Sequence, residues 1–410
     1  MVIKHNQIDV AIIGGGMVGL AAAAMLPKQL RIGLFEQADL SVLDSAGLQE
    51  DFNVRSTAIA SSSQLILEEY GLWHDLGKFA QPIESIQVSR KNGFGSVLIE
   101  PQEQSAQRPL GYVLSNQEIM KSFFNLIKKQ SHIDIYSSAS VQKVVPKQYE
   151  NHLMVSYQEE QCQISAKLII IADGVKSKVA KQLGIDQLIK HYHQKAIIAN
   201  VETSAPHQGR AFERFTDLGP MALLPLPSFS ERHRSALVWT APNEEIARLI
   251  ELEDDAFLKA MQVAWGSRLG RFKSVGSRVT FPLLLSQAME QYRNRLIIFG
   301  NAAHNLHPVA GQGFNLSLRD IASFVTLCRN ELLSSKLNFD VRFLEQWYIR
   351  QQKDQKLTIS FSDKLPEIFK KASLLGDLGL VIMDSSPEIK SSFIQFAAGQ
   401  RRLQSMMLGK

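Results

Sequence analysis

The chain has 410 residues, which is long for one compact domain, so two parts with separate apolar cores are expected. Its 45% hydrophobic and 21% charged residues exclude an intrinsically disordered chain. The formal net charge is +5, but the 45 basic residues are scattered among 40 acidic ones, so no nucleic-acid partner is expected.

Cysteine usage and hydropathy bear on the cellular compartment. Cys162 and Cys328 are too few for a disulfide framework or a cysteine metal cage, which favours a reducing compartment such as the cytoplasm. The apolar stretch at residues 8–26 approaches the length of a membrane-spanning helix, but Asp9 and four glycines argue against one. We therefore expect no membrane-spanning segment.

Those glycines form a dinucleotide-binding pattern. Residues 8–13 (IDVAII) predict a buried strand, and Gly14, Gly16 and Gly19 follow as GxGxxG at the start of a helix predicted for residues 20–26. The first glycine permits a tight turn, the second leaves room for a pyrophosphate, and the third lets the helix pack closely on the sheet. This arrangement predicts a nucleotide site at the helix N-terminus.

The next predicted strand, residues 31–35, leads directly to Glu36. An acidic residue at this place accepts hydrogen bonds from the ribose hydroxyls of an adenosine. The pattern as a whole predicts a dinucleotide cofactor but leaves FAD and NAD(P) open.

Two later predicted strands end in distinctive turns. Residues 167–172 (KLIIIA) run into Asp173 and Gly174, a pair that on its own fits a simple helix-capping turn equally well. Residues 295–299 (RLIIF) precede the segment 300–320, GNAAHNLHPVAGQGFNLSLRD, which leads into an amphipathic helix.

The segment 300–320 contains a glycine-rich helix start. Gly311, Gln312 and Gly313 stand immediately before the predicted helix, so backbone N–H groups there can face an electron-rich ligand edge. A reduced flavin is such a ligand, because negative charge develops at its N1 and O2 edge.

Two histidines lie in the same segment. His304 and His307 could be metal ligands, but Pro308 disfavours a regular helix before it and no third ligand is evident nearby, so we expect no metal site. The alternative is that these side chains form hydrogen bonds within the loop.

Together these segments resemble the class A flavoprotein aromatic hydroxylases of the p-hydroxybenzoate hydroxylase fold. The segment 300–320 is similar to the signature of the ubiquinone-biosynthesis hydroxylases, and residues 196–227 (AIIANVETSAPHQGRAFERFTDLGPMALLPLP) are similar to the UbiH-like, 2-polyprenyl-6-methoxyphenol hydroxylase branch of that family. The resemblance covers nearly the whole chain. It implies an α/β fold, with a Rossmann-like FAD-binding domain, an interleaved smaller β-sheet substrate domain and a helical C-terminus.

The implied FAD-binding domain is discontinuous. It comprises residues 1–75, 96–184 and 276–340, with the substrate domain at residues 76–95 and 185–275 and a helical C-terminal region at residues 341–410.

The resemblance also implies the residues that hold FAD. The implied cofactor-binding residues are Gly14, Gly16, Gly19, Glu36, Arg55, Gln117, Asp173, Gly174, Asn301, Gly311, Gln312, Gly313, Phe314 and Asn315. Pro308 is implied to lie beside the flavin and is the one candidate for a catalytic position. Three positions depart from the broader family pattern: Asn301 replaces an Asp, Gln117 an Arg and Ala180 an Arg. Asn301 still donates and accepts hydrogen bonds.

The implied chemistry depends on the cofactor. In the family, reduced FAD and O₂ give a flavin C4a-hydroperoxide that an electron-rich phenol attacks, with NAD(P)H as co-substrate. The implied reaction converts 2-polyprenyl-6-methoxyphenol to 2-polyprenyl-6-methoxy-1,4-benzoquinol. The alternatives are a sister hydroxylase acting at another ring position, a hydroxylase of small aromatic acids, and a non-catalytic flavin-binding subunit of a quinone-synthesis protein complex.

Alternating apolar and polar residues between positions 196 and 240 predict strands that cover a pocket. Arg214 lies in one of them and is a candidate to steer a phenolate or NAD(P)H, the alternative being an ion-paired strand residue. The C-terminal segment 389–410 mixes apolar and basic residues. It predicts a helix that either packs on the flavin domain or makes peripheral contact with the inner membrane.

Overall fold

The computed structural model describes residues 6–44, 52–93, 96–101, 108–307 and 311–371. The described strands are β1 Gln7–Ile13, β2 Ile32–Glu36, β3 Ser56–Ala60, β4 Gln81–Ile83, β5 Ser85–Arg90, β6 Ser96–Ile99, β7 Gly111–Ser115, β8 Ile133–Ser137, β9 Ser140–Pro146, β10 Asn151–Tyr157, β11 Glu160–Ile171, β12 Gln187–Thr203, β13 Arg210–Phe215, β14 Pro220–Pro225, β15 His233–Pro242, β16 Phe272–Val275, β17 Val279–Ala288, β18 Tyr292–Arg293, β19 Leu296–Ile298 and β20 His304–Asn305. The described α-helices are α1 Met17–Met25, α2 Ser61–Glu69, α3 Trp73–Leu76, α4 Asn116–Ile127, α5 Lys178–Gln182, α6 Asn243–Ile250, α7 Asp254–Trp265, α8 Gln312–Leu333 and α9 Val341–Lys371.

The first sheet has the strand order β18-β19-β11-β1-β2-β8, and β19, β11, β1, β2 and β8 run parallel. The apolar run of β1 is continuous because both faces of the sheet are covered. Val10 and Ile12 pack in the core that contains α1, α4 and α8, whereas Ala11 and Ile13 pack with residues of β9 and β10. The predicted strand, turn and helix at the N-terminus are confirmed, and Glu36 is the last residue of β2.

The second sheet is largely antiparallel, with the order β20-β17-β12-β15-β14-β13-β5-β6. Helices α6 and α7 cover one face, where Trp239 of β15 contacts Phe257 of α7. The other face is turned toward the first sheet. A small third sheet has the antiparallel strand order β3-β7-β4. The predicted α/β class is therefore confirmed.

Two strands differ from the predicted division of the chain. The division placed residues 96–99 and 279–288 with the flavin segments, but β6 pairs with β5 and β17 pairs with β12 in the second sheet. Hairpin geometry explains the first difference, because β6 folds back antiparallel on the strand just before it.

The described part of the chain ends with α9. Within the described residues, no helix has a sufficiently long and apolar stretch to cross a bilayer. The predicted helix at residues 389–410 lies outside the described part of the chain.

Candidate functional site

The turn between β1 and α1 has the geometry that GxGxxG predicts. Gly14 has φ +107°, and a Cβ there would lie 2.5 Å from the Ala172 carbonyl oxygen. A Cβ on Gly19 would lie 1.8 Å from the Gly14 carbonyl oxygen, so both positions exclude larger residues. By contrast, a Cβ on Gly16 would have no atom of the described residues within 4 Å. The second glycine thus leaves open space at the N-terminus of α1, where a pyrophosphate requires it.

Glu36 faces this turn from the end of β2. The Gly15 N–H donates to its Oε2, and the Ala38 N–H donates to its Oε1 at 2.7 Å. A carboxylate oxygen can accept more than one hydrogen bond, so both oxygens of Glu36 retain capacity for ribose hydroxyls.

A cavity of about 590 Å³ lies between the two large sheets. Many of the predicted cofactor residues line it, together with one face of the second sheet. The predicted residues that line it are Gly16, Arg55, Gly174, Asn301, Gly311, Gln312, Gly313, Phe314 and Asn315. The three separated flavin segments of the sequence are therefore brought to one cleft.

The start of α8 forms one wall of the cavity. Gly311, its N-cap, has φ +58°, a left-handed conformation that favours glycine, and provides no side-chain cap for the helix. The Asn315 amide accepts from the Ala60 N–H at 2.8 Å and donates to the carbonyl oxygens of Ala58 and Gly311 at 2.9 and 2.8 Å. Asn315 therefore holds β3 against the glycine-rich turn.

Two predicted residues present unpaired polar atoms near the cleft. Within the described residues, Gln117 Oε1 and Asp173 Oδ1 are buried without a hydrogen-bond partner. Burial raises the pKa of the Asp173 carboxyl, although hydrogen bonds from Ser177 and nearby backbone N–H groups oppose that shift. A buried polar atom without a partner is costly, so both atoms suit a polar cofactor that supplies donors.

Arg55 lies at the cavity with its guanidinium 5.0 Å from the centre of the Phe281 ring. Asn301, which stands where the broader family pattern has an Asp, also lines the cavity and is exposed. Pro308 lies outside the described residues, so its predicted position beside the flavin stays a prediction.

The two histidines of the loop have different surroundings. His304 Nε2 lies 2.7 Å from Asp320 Oδ2, and both side chains are buried. His307 packs edge-on against the Tyr192 ring, and burial lowers the pKa of its imidazole to about 4. No group of three metal-ligating side chains occurs in the part of the chain that the structure describes.

Arg214 is not brought to the cavity. It follows Glu213 on β13, so the two side chains point to opposite faces of the sheet. Arg214 Nη1 donates to Ser89 Oγ at 3.3 Å, whereas Glu213 lines the cavity. Burial away from water raises the pKa of the Glu213 carboxyl to about 7. Glu213 was not among the residues predicted from the sequence, although its spacing from Ala211 and Phe215 places all three on one face of β13.

Comparison with known proteins is consistent with this geometry. The profile of the FAD binding domain family matches residues 7–329. The ubiquinone hydroxylase UbiL of Rhodospirillum rubrum is 30% identical over 403 residues, covering 96% of this chain and 90% of the relative. The mitochondrial ubiquinone biosynthesis monooxygenase COQ6 of Xenopus tropicalis is 28% identical over 444 residues, covering 95% of this chain and 93% of the relative.

Among solved structures, PqsL of Pseudomonas aeruginosa, a probable FAD-dependent monooxygenase, superposes with a TM-score of 0.72. The match is 17% identical and covers 92% of this chain and 100% of PqsL, so it supports the fold. The fold and the cleft define an FAD-dependent monooxygenase of the hydroxylase type. Within that class, the chain belongs to the FAD binding domain family and is related to ubiquinone-biosynthesis monooxygenases.

The residues present fit FAD. The open space at Gly16, the carboxylate of Glu36 and the buried unpaired atoms of Gln117 and Asp173 provide what an adenine dinucleotide requires. The start of α8 lines the cavity, and a helix N-terminus there would stabilise the reduced form of a bound isoalloxazine.

Proposed function

We propose that this enzyme hydroxylates 2-polyprenyl-6-methoxyphenol to 2-polyprenyl-6-methoxy-1,4-benzoquinol, with NAD(P)H as reductant and O₂ as the oxygen source. The observation that carries the proposal is the cavity itself. It extends from the glycine-rich flavin segments to a sheet face lined by apolar residues such as Ile198, Ala222 and Leu224. That surface suits a ring with apolar substituents.

The same cavity disfavours a small aromatic acid. Arg214 points away from the cavity, Arg55 is one of the predicted cofactor residues, and the ionised Glu213 would repel a carboxylate on the substrate. The named relatives, which act in ubiquinone biosynthesis, also support a quinone precursor over a soluble acid.

The protein contributes mainly binding and the exclusion of water. Bound FAD would supply the chemistry that activates O₂, so that one of its oxygen atoms can be added to the ring. Gly311 and Gly313 let the backbone at the start of α8 approach the isoalloxazine closely, while the apolar face of the second sheet holds the phenol and keeps water out. Residues 14–19, Glu36, Gln117 and Asp173 would hold the remainder of FAD.

The test is product identification with the FAD-loaded enzyme. A 2-methoxyphenol with a short prenyl chain at position 6 is incubated with NAD(P)H and O₂, and the product is analysed by mass spectrometry and NMR. We expect one added oxygen atom at the carbon para to the hydroxyl. Hydroxylation at another ring carbon would instead establish a sister hydroxylase, and a flavin that is never reduced would establish a non-catalytic subunit.

We also propose peripheral contact with the membrane that contains a polyprenyl substrate. The support is the mixture of apolar and basic residues in the segment 389–410. We expect the full chain to co-sediment with vesicles of anionic and neutral phospholipid. A chain that ends at residue 388 should co-sediment less. Equal binding by both chains would argue against a role for this segment.

A further inference from the structure

One row of side chains crosses the second sheet on the side of the cavity. Val88, Glu213, Ala222, Val238 and Ile198 occupy successive paired positions on β5, β13, β14, β15 and β12. All five line the cavity, in keeping with the rule that paired residues point to the same face. Glu213 is thus a carboxyl between apolar neighbours on both adjoining strands.

The rest of this face offers Glu213 no polar partner. Further lining residues include Ala211, Phe215 and Leu224, and the Thr240 hydroxyl donates to the Pro220 carbonyl oxygen at 3.0 Å. Among the residues that the structure describes, none forms a hydrogen bond or an ion pair with the Glu213 side chain. A carboxyl in such a place is costly unless a ligand provides a donor.

Few other titratable or charged groups face the cavity. Arg55 and His307 line it, and His307 is neutral above its pKa of about 4. On β5, Arg90 lies two positions beyond Val88 and is not among the lining residues, and on β13 itself Arg214 points to the other face. Among the described residues that line the cavity, Glu213 is therefore the group whose pKa of about 7 lets it take up a proton between pH 6 and pH 8.

We propose that Glu213 binds the phenol hydroxyl of the substrate and accepts its proton during ring hydroxylation. This inference rests on the proposed function. The O–H bond breaks, its electron pair stays on the phenol oxygen, and the proton moves to a carboxylate oxygen. The phenolate oxygen raises the electron density at the ortho and para ring carbons, which favours their attack on an electrophilic oxygen.

The proton balance closes within one turnover. The hydroxylated ring carbon loses its hydrogen as a proton to solvent, and the Glu213 carboxyl returns its proton to the original phenol oxygen. The product is a neutral quinol, and the carboxylate is regenerated for the next substrate.

The first test measures binding without reductant, so that no turnover occurs. The FAD-loaded enzyme is titrated with 2-methoxy-6-prenylphenol and with its methyl ether, and the flavin absorbance change is followed between pH 6 and pH 8. A hydrogen bond to a charged acceptor is stronger than one to a neutral group, so we expect the phenol to bind about fivefold more tightly at the higher pH. The ether, which has no donor for the carboxylate, should bind no more tightly at the higher pH.

The variant Glu213→Gln should abolish the pH dependence of phenol binding while retaining FAD. Glu202→Gln is the matched control, because Glu202 is a carboxyl of the same sheet that accepts from Ser274 Oγ at 3.1 Å and does not line the cavity. A pH dependence that persists in Glu213→Gln, or that is absent from the wild type, would overturn the role of Glu213 in binding.

The second test measures product formation. In the wild type, kcat/KM should rise between pH 6 and pH 8, whereas Glu213→Gln should be slower by about 10²–10⁴-fold and lack that rise. Glu213→Asp should restore part of the rate. Unchanged hydroxylation by Glu213→Gln would refute the proton transfer. If the wild type itself forms no hydroxylated product, the proposed function and the proton transfer both fail, and the binding test still decides whether Glu213 anchors the phenol.

Discussion

His304 and Asp320 form a buried pair that links the loop after β19 to the middle of the helix α8, with 2.7 Å between Nε2 and Oδ2. The second carboxylate oxygen of Asp320 accepts from Gln355 Nε2 at 3.1 Å, and its backbone carbonyl accepts from Trp347 Nε1 at 3.0 Å. One residue of α8 thus joins the flavin-side loop to α9. The loop is held in place by side-chain contacts in addition to its glycines.

The substitution Asp320→Ala should destabilise the protein strongly. It leaves His304 and Gln355 buried without their partner, and breaking a buried pair in this way costs about 3–5 kcal/mol. Urea unfolding of the apoprotein measures the change. Asp320→Asn, which keeps one acceptor, should cost less, and a loss below about 1 kcal/mol for the alanine variant would contradict the structural role.

Two glycine substitutions should separate folding from cofactor binding. Gly16→Ala places its Cβ in open space, so we expect an unchanged fold but weaker FAD binding, because the methyl group occupies the space that the pyrophosphate needs. Gly14→Ala should lower both stability and flavin content, since its φ is +107° and its Cβ would overlap Ala172. The flavin-to-protein absorbance ratio and the thermal unfolding of the apoprotein distinguish the two. Full flavin occupancy in Gly16→Ala would refute the placement of the pyrophosphate.

Gln117→Leu should weaken FAD binding by about tenfold without destabilising the apoprotein. Removing an unpaired buried oxygen is nearly neutral for folding, but the cofactor loses an acceptor. Gln351→Leu is a matched control, because Gln351 is also buried with unpaired polar atoms but lies on α9 and is not one of the predicted cofactor residues. Isothermal titration of both apoproteins with FAD is the measurement. Equal FAD affinities of the two variants would show that Gln117 does not contact the cofactor.

Glu213 should make stability depend on pH. Its folded-state pKa of about 7 exceeds that of an unfolded glutamate, so the folded protein binds the proton more tightly. The contribution of this proton binding to the free energy of unfolding is present at pH 4 and is lost as the pH rises through 7. Relative to the wild type, Glu213→Gln should therefore gain about 3 kcal/mol between pH 4 and pH 8. Urea unfolding at the two pH values tests this, and a pH-independent difference would contradict the burial of the carboxyl.

Local sequence patterns were sufficient for the geometry of the turn between β1 and α1. Gly14, Gly16 and Glu36 have roles fixed by neighbouring residues in one β-α-β unit, so their spacing predicts their geometry. Asp173 comes soon after β11 of the same parallel sheet, so its place beside the first turn also followed. Gly311 lies beyond β20 of the second sheet, so its place at the cleft was implied by the family resemblance and not by strand order.

Features that depend on distant partners were not predictable in this way. Alternation on β13 shows that Glu213 and Arg214 point to opposite sides, but it does not show which side faces the cavity, since both faces of that strand are covered. The choice of Arg214 as the substrate residue was therefore not supported by the structure. Likewise, the pairing of His304 with Asp320 depends on how α8 packs against the loop, and strand and turn patterns in the sequence do not predict that packing.

The pairing of β19 with β11 has a consequence for the order of events during synthesis. The strand β19 comes from residues 296–298 and lies between β11 and β18, and α8 begins at residue 312, so every described strand of the second sheet has been synthesised before the start of α8. A chain arrested before residue 312 would retain the GxGxxG turn but lack the helix start that is predicted to face the isoalloxazine, so we expect flavin capture to follow completion of both sheets.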